Sequence, residues 1–355
     1  MVAMARHDLL AHPIEWIKGK GSSSNIAVSS RIRLARNLSK YPFTHRCSKE
    51  KLLAIVEEVK HVISESDLLK NSDVVEMDAL DPLSRWILVE RHLISPPFAD
   101  GGSGRVVVID PKGVVSIMVN EEDHLRIQVI LAGLELNEVW RIAKKVEKVF
   151  EELGYAFDPD FGYLTACPTN VGTGMRASVM VHIPALEMSK QVVKLVNECN
   201  RIGLTVRGSY GEGSDVLGSL YQISNQITLG LSEEELVDKV SSAVSQVVAE
   251  EERARAVMKR KLGISLDDRV WRAFGILRYS RSITSREALE LISLIKMGSD
   301  MGIIPKISVE EWNNLVLGVQ PNHVQMYADK ELSPDERDVF RAAFLRERIK
   351  AIENR

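Results

Sequence analysis

The fold class is decided by residues 106–117, VVVIDPKGVVSI. Two β-branched runs flank residues 110–113, a turn sequence with proline at its second position and glycine at its fourth. Such a turn makes the two runs a hairpin, and the strands of a hairpin are antiparallel. The stretch therefore predicts an antiparallel pair and disfavours a purely parallel, doubly wound sheet.

Around this hairpin, residues 25–229 alternate short β-branched runs with helical segments, a mixture typical of an α/β or α+β domain. Two segments, residues 136–153 and 186–202, carry apolar residues at three- and four-residue spacing. They are predicted to be helices that cover one face of the sheet.

The pattern changes at Ser232, where a serine followed by three glutamates predicts a capping box at the start of a long helix. Strand signals end there, Gly263 interrupts the helix, and more helices are predicted at 266–279, 284–301, 308–317 and 333–352. We therefore expect a mixed domain over residues 1–255 and an all-helical domain over residues 256–355.

The composition narrows the function classes. The chain has 355 residues, 45% of them hydrophobic, which is enough for two domains with sizeable cores. Its formal net charge of -3 lacks the basic excess of a nucleic-acid binder. The three cysteines form no CxxC pair, so we expect neither a disulfide framework nor a zinc site. No apolar run reaches the roughly 20 residues that a membrane span needs, and residues 1–16 do not read as a signal peptide. A cytoplasmic protein that binds neither membrane nor nucleic acid is expected.

Arginines cluster first in residues 29–33, SSRIR. Strand alternation places the guanidinium groups of Arg31 and Arg33 on one face and Ile32 on the other. This geometry suits a polyphosphate, although two such charges can equally lie on a solvated strand face.

The second cluster is residues 119–126, VNEEDHLR, which place three carboxylates in a turn at the end of a strand. One of them could act as a general base, and a merely solvated acidic turn is the alternative. After the turn, Arg126 and Gln128 share one face of the next strand.

Two glycine-containing loops follow, residues 167–176, CPTNVGTGMR, and residues 207–213, RGSYGEG. Glycines let backbone N–H groups approach a bound anion, and each loop adds an arginine. Neither is a Walker A loop, and the HRD and DFG elements of ordinary protein kinases are absent. Each loop taken alone could be a structural turn.

Taken together and in this order, the four segments resemble the phosphagen (guanidino) kinase family. Residues 167–176 match its cysteine loop, C-P-[ST]-N-x-G-T-x-x-R, and Asn120–Arg126 match its N-E-E-D-H-L-R segment without change. The resemblance covers about residues 24–254. It implies an α+β domain with an antiparallel sheet of about eight strands flanked by helices, similar to glutamine synthetase.

The family likeness also implies site residues and a cofactor. Residues expected at ATP are Ser29, Ser30, Arg31, Arg33, His92, Arg126, Arg176 and Arg207. Residues expected at the substrate guanidinium are the carboxylates Glu122 and Glu212, with Glu121 adjacent, and Cys167. Mg²⁺ is expected to be held through nucleotide phosphates and water, with no dedicated metal site on the protein.

Two departures indicate a branch of the family. Members that act on small guanidino compounds carry a helical domain with a specificity loop before the catalytic domain, whereas here the arginine strand begins near residue 29. The helical tail instead resembles that of the bacterial protein-arginine kinases, including an R-D-x-x-R-A motif at residues 337–342. The resemblance implies a regulatory phosphoarginine pocket built by Arg337, Asp338 and Arg341, while spacing alone would favour a solvated helix face.

The expected activity is therefore ATP-dependent phosphorylation of arginine side chains in proteins, marking them for regulation or degradation under stress. Expected partners are proteins with exposed arginines, an activator protein and protease machinery, and the apolar tail helices make a homodimer plausible. Two alternatives stay open: a small-molecule guanidino kinase and an inactive phosphoarginine-binding adaptor. The complete set of arginines, carboxylates and cysteine argues against the adaptor.

Overall fold

The computed structural model describes residues 12–208 and 216–354, and an eight-stranded antiparallel sheet lies at its centre. Across the sheet the strands are β2 (Asp73–Glu76), β3 (Val106–Ile109), β4 (Val115–Val119), β5 (Leu125–Ala132), β1 (Ala27–Arg36), β8 (Met175–His182), β10 (Leu220–Asn225) and β9 (Leu204–Gly208). A separate two-stranded hairpin is formed by β6 (Phe157–Asp158) and β7 (Gly162–Tyr163). The predicted hairpin of β3 and β4 and the predicted antiparallel α+β architecture are confirmed.

The two faces of the large sheet differ in polarity. Ile32 and Leu34 of β1 are fully buried on one face, which packs against the helices Lys49–Glu65, Leu136–Val149 and Glu233–Leu262. Arg31 and Arg33 alternate with them and therefore point to the opposite face. The apolar face builds the main core and leaves the other face available for polar chemistry.

The helices that accompany the sheet are Lys49–Glu65, Pro82–Glu90, Pro96–Ala99, Leu136–Val149, Pro184–Met188 and Val192–Arg201. The helix predicted over 136–153 ends at Val149 and continues only as a 3-10 turn. The prediction of one continuous helix over 186–202 was wrong, because the chain forms two helices there, Pro184–Met188 and Val192–Arg201. Between them Lys190 has φ 60°, which interrupts the helical hydrogen bonds, and the Ser189 hydroxyl donates to the Ala185 carbonyl at 2.7 Å.

The C-terminal part is helical as predicted: Glu233–Leu262, Ile264–Tyr279, Ser285–Asp300, Val309–Gly318, Pro321–Tyr327 and Pro334–Glu353. Capping boxes at Ser232, Ser308 and Ser333 begin three of these helices. The seven-residue helix Pro321–Tyr327 was not predicted, because it is too short to show a clear apolar period. No helix in residues 12–208 or 216–354 is long and apolar enough to cross a membrane.

Buried polar contacts attach the C-terminal helices to the sheet region. The Glu251 carboxylate, fully buried in the helix Glu233–Leu262, accepts the N–H groups of Ala185 and Leu186. Glu90 lies at the end of the helix Pro82–Glu90. Its carboxylate hydrogen-bonds the His323 ring nitrogen Nδ1 at 2.6 Å and accepts the backbone N–H of His323 at 3.0 Å. These contacts hold the C-terminal helices against the helices Pro184–Met188 and Pro82–Glu90 of the sheet region.

Candidate active site

Five arginines from four strands line one cavity of about 390 Å³ on the polar face of the sheet. They are Arg31 and Arg33 from β1, Arg126 from β5, Arg176 from β8 and Arg207 from β9. All five had been predicted at ATP, and the structure brings them together.

The strand register explains why they converge. Arg33 lies opposite Gln128 of β5 on one side and opposite Arg176 of β8 on the other. Arg207 lies opposite Gln222 of β10. Cross-strand partners share a face of the sheet, so antiparallel pairing gathers side chains that are far apart in the sequence. Like charges directly opposite each other are unfavourable, which indicates a site built to receive an anion.

The pKa values of these arginines reflect the crowding of positive charge. Burial lowers the pKa of Arg31 to about 10, with further lowering from the charges of Arg176 and Arg126. The pKa of Arg33 lies well below its ordinary value, first because of burial and then because of Arg31 and the other arginines. A bound polyphosphate would neutralise this charge, so the cavity is electrostatically complementary to nucleotide phosphates.

Glu121 is the carboxylate among the described residues that line the cavity. It is 7% exposed, and the Arg126 Nη1 atom donates to both of its oxygens at 2.7 and 2.8 Å. The Ser95 hydroxyl donates to the same carboxylate at 2.6 Å. Burial would raise the pKa of Glu121, but Arg126 and the hydrogen bonds outweigh it and the pKa is lowered. Glu121 therefore stays ionised and holds Arg126 in place.

Glu122 differs from its neighbour in exposure and in pKa. The turn begins at Asn120, whose φ of 61° suits an asparagine and whose side-chain amide donates to the carbonyls of Leu52 and Gly104. This anchored turn leaves the Glu122 side chain exposed. Burial raises the pKa of Glu122, and the charges of Asp123 and Glu121 raise it further. A raised pKa makes a carboxylate a stronger base and therefore better able to accept a proton.

A buried aspartate holds the cysteine loop beside this turn. Asp123 Oδ1 accepts the side-chain amide of Asn37 at 2.6 Å and the N–H of Ala166 at 2.7 Å. Cys167 follows Ala166, is partly exposed, and has its Sγ atom 3.0 Å from Thr169 Oγ1. Because Glu122 and Asp123 are adjacent, the hydrogen bond from the Ala166 N–H to Asp123 brings the cysteine loop to the Glu122 turn.

The glycines of the cysteine loop have a structural reason of their own. Gly172 has φ 113°, and a Cβ atom there would lie 2.2 Å from the carbonyl oxygen of Thr228. At Gly174 a Cβ atom would lie 2.6 Å from the Arg36 guanidinium and 2.7 Å from the Ala35 carbonyl. Close backbone packing, and not only approach to an anion, therefore requires glycine at these positions.

The remaining residues predicted at ATP occupy different places. His92 lines the cavity, and burial together with Arg31 lowers its pKa to about 3, so its ring is neutral. Ser29 lies with His92 beside a second, much smaller cavity. Ser30 points to the opposite face, where its hydroxyl donates to the Gly133 carbonyl at 2.8 Å and accepts the Glu135 N–H at 2.9 Å. Glu212 lies outside the described residues.

Some residues that line the cavity were not predicted from the sequence to be functional. Ser95 begins a short helix ahead of two prolines and contacts Glu121, and a serine before prolines is a helix-start signal that could have drawn attention to it. Gln128 donates to the His92 carbonyl at 2.6 Å, and Gln222 donates to the Ser178 hydroxyl at 3.1 Å. Strand alternation had placed Gln128 on the same face as Arg126 without giving it a role. No local pattern distinguishes Gln222, because only the strand register places it in the cavity.

In the C-terminal motif Arg341 is buried, while Arg337 and Asp338 are partly exposed. The Arg341 side chain donates to the carbonyls of Val319 at 2.7 Å and Ile283 at 2.9 Å and forms an ion pair with Asp338. Arg337 donates to the Leu332 carbonyl at 3.0 Å. Arg341 is only 2% exposed, so it is not the residue of a solvated helix face.

Comparisons with known proteins agree with this geometry. The profile of the ATP:guanido phosphotransferase C-terminal catalytic domain matches residues 54–254, and that of the protein-arginine kinase McsB C-terminal domain matches residues 263–355. A protein-arginine kinase of Brevibacillus brevis is 43% identical, with 99% of each chain covered. One of Pelotomaculum thermopropionicum is 47% identical, with 93% of this chain and 94% of the relative covered.

Among solved structures, lombricine kinase shares the fold with a TM-score of 0.59 and 22% identity, over 69% of this chain and 72% of that one. The sequence relatives are far more similar and extend over nearly the whole chain. The chain therefore belongs to the ATP:guanido phosphotransferase family and, within it, to the protein-arginine kinases.

Proposed function

We propose that this protein transfers the γ-phosphoryl group of ATP to arginine side chains of other proteins. The observation that carries the proposal is the cavity of five arginines that ends at the Glu121–Glu122 turn. Relatives named protein-arginine kinases match both the sheet region and the helical C-terminal part, which favours protein substrates over a small guanidino compound.

The arginines are proposed to bind the ATP phosphates and to neutralise the charge on the transferred group. Phosphoryl transfer depends mainly on such positioning and charge stabilisation. The neutral His92 ring borders the same cavity and is proposed to contact the nucleotide. Ser29 and Ser30 remain predictions. The position of Ser30 on the opposite face offers no direct support for a contact with ATP.

Mg²⁺ is proposed to enter with the nucleotide. Among residues 12–208 and 216–354 there is no group of three or more His, Cys, Asp or Glu side chains able to hold a metal ion. The cavity presents mainly cations, so phosphate oxygens and water are the ligands that fit Mg²⁺ here. When bound in this way, the ion would neutralise charge on the phosphates.

The two adjacent glutamates are proposed to have different roles. Glu121 positions Arg126, since its oxygens are engaged by that guanidinium and by Ser95. Glu122 is proposed to align the substrate guanidinium and to accept its proton, because it is exposed and its pKa is raised. In the reaction a guanidinium nitrogen forms a bond to the γ-phosphorus, the bond to the ADP oxygen breaks, and the lost proton moves to the carboxylate. Glu212 is proposed as the second carboxylate at the guanidinium.

Cys167 is proposed to border the same guanidinium. Its partial exposure and the Asp123 hydrogen bond to Ala166 support a place beside Glu122. A thiolate there would favour the positive charge of the substrate.

Several finer assignments rest on the family resemblance and are proposals. They are a regulatory phosphoarginine site at Arg337, Asp338 and Arg341, an activator protein, protease machinery that receives phosphorylated proteins, a role under stress, a cytoplasmic location and a homodimer. A domain boundary near residue 255 is also proposed. It is supported by the two profile matches, because the first ends at residue 254 and the second begins at residue 263.

The test is incubation with ATP, Mg²⁺ and a mixture of proteins, followed by mass spectrometry under conditions that preserve acid-labile phosphoarginine. We expect phosphorylated arginines on proteins and little turnover of free L-arginine or creatine. A higher kcat/KM for free arginine than for every protein tested would instead make the chain a small-molecule guanidino kinase.

A further inference from the structure

Two large aromatic side chains are exposed on the small hairpin of β6 and β7. Phe157 is 57% exposed and Phe161 is 56% exposed. The turn between the strands is closed by Asp158, whose Oδ1 atom accepts the N–H groups of Asp160 at 2.9 Å and Phe161 at 3.1 Å. The turn is therefore ordered, and it holds Phe161 in the solvent.

The hairpin is attached firmly to the rest of the protein. The Phe157 ring meets the Tyr163 ring edge-on, with centroids 5.2 Å apart, and the Arg36 guanidinium lies 3.4 Å from the Tyr163 ring centroid. The Tyr163 N–H donates to the Gly172 carbonyl at 2.8 Å, which joins the hairpin to the cysteine loop. A rigid aromatic surface loses little conformational entropy when it binds a partner.

This surface lies next to the proposed guanidinium site. Only a few residues separate Tyr163 from Cys167, and the Ala166 N–H between them is held by Asp123, the neighbour of Glu122. A polypeptide whose arginine reaches Cys167 and Glu122 must place its flanking residues on the surrounding surface.

The charge of the region is complementary to an arginine-bearing chain. Residues 149–175 contain the acidic residues Glu151, Glu152, Asp158 and Asp160 and no lysine or arginine. Glu151, Glu152 and Asp160 are exposed. The surface thus combines exposed aromatic rings with negative charge, which fits a segment with both cationic and apolar side chains.

We propose that Phe157, Phe161 and Asp160 form a docking surface for the substrate polypeptide, and that it receives an unfolded segment flanking the target arginine. An unfolded segment is favoured because its apolar side chains are available to cover the two rings, whereas a folded protein buries most of them. The inference rests on the proposed function, since it specifies the substrate class of the same site.

The test compares a long and a short substrate in the Phe157→Ala/Phe161→Ala double variant. The long substrate is reduced, alkylated lysozyme, and the short one is an acetylated and amidated Gly-Arg-Gly peptide. We expect kcat/KM for the unfolded protein to fall at least about tenfold, as for aromatic anchors of interfaces, while that for the tripeptide falls less than about twofold. The matched control is Trp271→Ala, an aromatic residue 49% exposed on a C-terminal helix, which should lower neither value.

Unchanged kcat/KM for the unfolded protein would overturn the inference, and so would an equal loss on both substrates, because the hairpin would then act through the shape of the site. The charge is tested by Asp160→Lys, which should lower kcat/KM for the basic lysozyme chain more than for an acidic unfolded protein that contains arginine. Equal losses would refute the charge component. If the unaltered enzyme phosphorylates no protein, the proposed function itself is refuted. If the unaltered enzyme is active and the docking variant behaves in the same way, only the docking inference is refuted.

Discussion

In the absence of nucleotide, replacing Glu121 by glutamine should lower the stability of the folded protein. The change keeps the size of the side chain but removes the negative charge that pairs with Arg126 at 2.7 and 2.8 Å. Breaking a fully buried ion pair costs about 3–5 kcal/mol, whereas an exposed pair contributes at most about 1 kcal/mol. Glu121 has a side chain 5% exposed and Arg126 one 23% exposed, so the pair lies between these cases. We expect the free energy of unfolding to fall by about 1–3 kcal/mol, or roughly 2–6 °C in Tm.

ATP should restore much of this loss, because its phosphates supply negative charge beside the same arginines. The assay is thermal unfolding at pH 7.5 with and without a non-hydrolysable ATP analogue and Mg²⁺. The stabilisation by the analogue should be larger in the Glu121→Gln variant than in the unaltered protein. Equal Tm values for the two proteins without nucleotide would refute the reasoning, since Glu121 would then contribute no net stability to the arginine cavity.

The pH dependence gives an independent check. The pKa of Glu121 is lowered in the folded protein, so its carboxylate contributes stability above the unfolded pKa of about 4.3 and loses it as the pH falls through the lower folded value. The stability difference from Glu121→Gln should be complete at pH 7 and should shrink below about pH 4.3. The matched control is Glu122→Gln, because the pKa of Glu122 is raised and not lowered. This variant should not lose stability at pH 7. Its kcat should fall by about 10²–10⁴-fold, as expected for loss of a general base.

Cys167→Ser should lower kcat at least about tenfold with an unchanged Tm, and a fully active serine variant would limit the thiol to packing. Arg33→Gln should raise Tm without nucleotide, because it removes a buried cation from a like-charged cluster, and should raise the KM for ATP; a lower Tm would contradict this explanation. Glu90→Ala should lower the free energy of unfolding by about 3–5 kcal/mol in denaturant titrations, since it removes the buried acceptor of the Pro321–Tyr327 helix start, and a loss below about 1 kcal/mol would argue against that role. The double variant Arg337→Ala/Asp338→Ala should lose phosphoarginine binding in calorimetric titrations while keeping its activity on proteins, and unchanged binding would remove the regulatory-pocket hypothesis.

Features governed by local interactions could be predicted from the sequence. The turn at residues 110–113 indicated the β3–β4 hairpin, and the capping box at Ser232 marked the start of the long helix. Strand alternation placed Arg31 and Arg33 on one face, as observed. The helix predicted over 186–202 failed at Lys190, because apolar spacing does not show a left-handed residue that interrupts the hydrogen bonds.

By itself, the sequence determined the antiparallel α+β class, the helical C-terminal part and the family, because turns, caps and contiguous motifs are encoded within short segments. Only the tertiary structure showed the different environments of Glu121 and Glu122, since Arg126 and Ser95 contact Glu121. It also showed Arg341 buried against carbonyl groups from distant segments. Side-chain contacts across strands and helices set charge and exposure, and those contacts have no counterpart in the local order of residues.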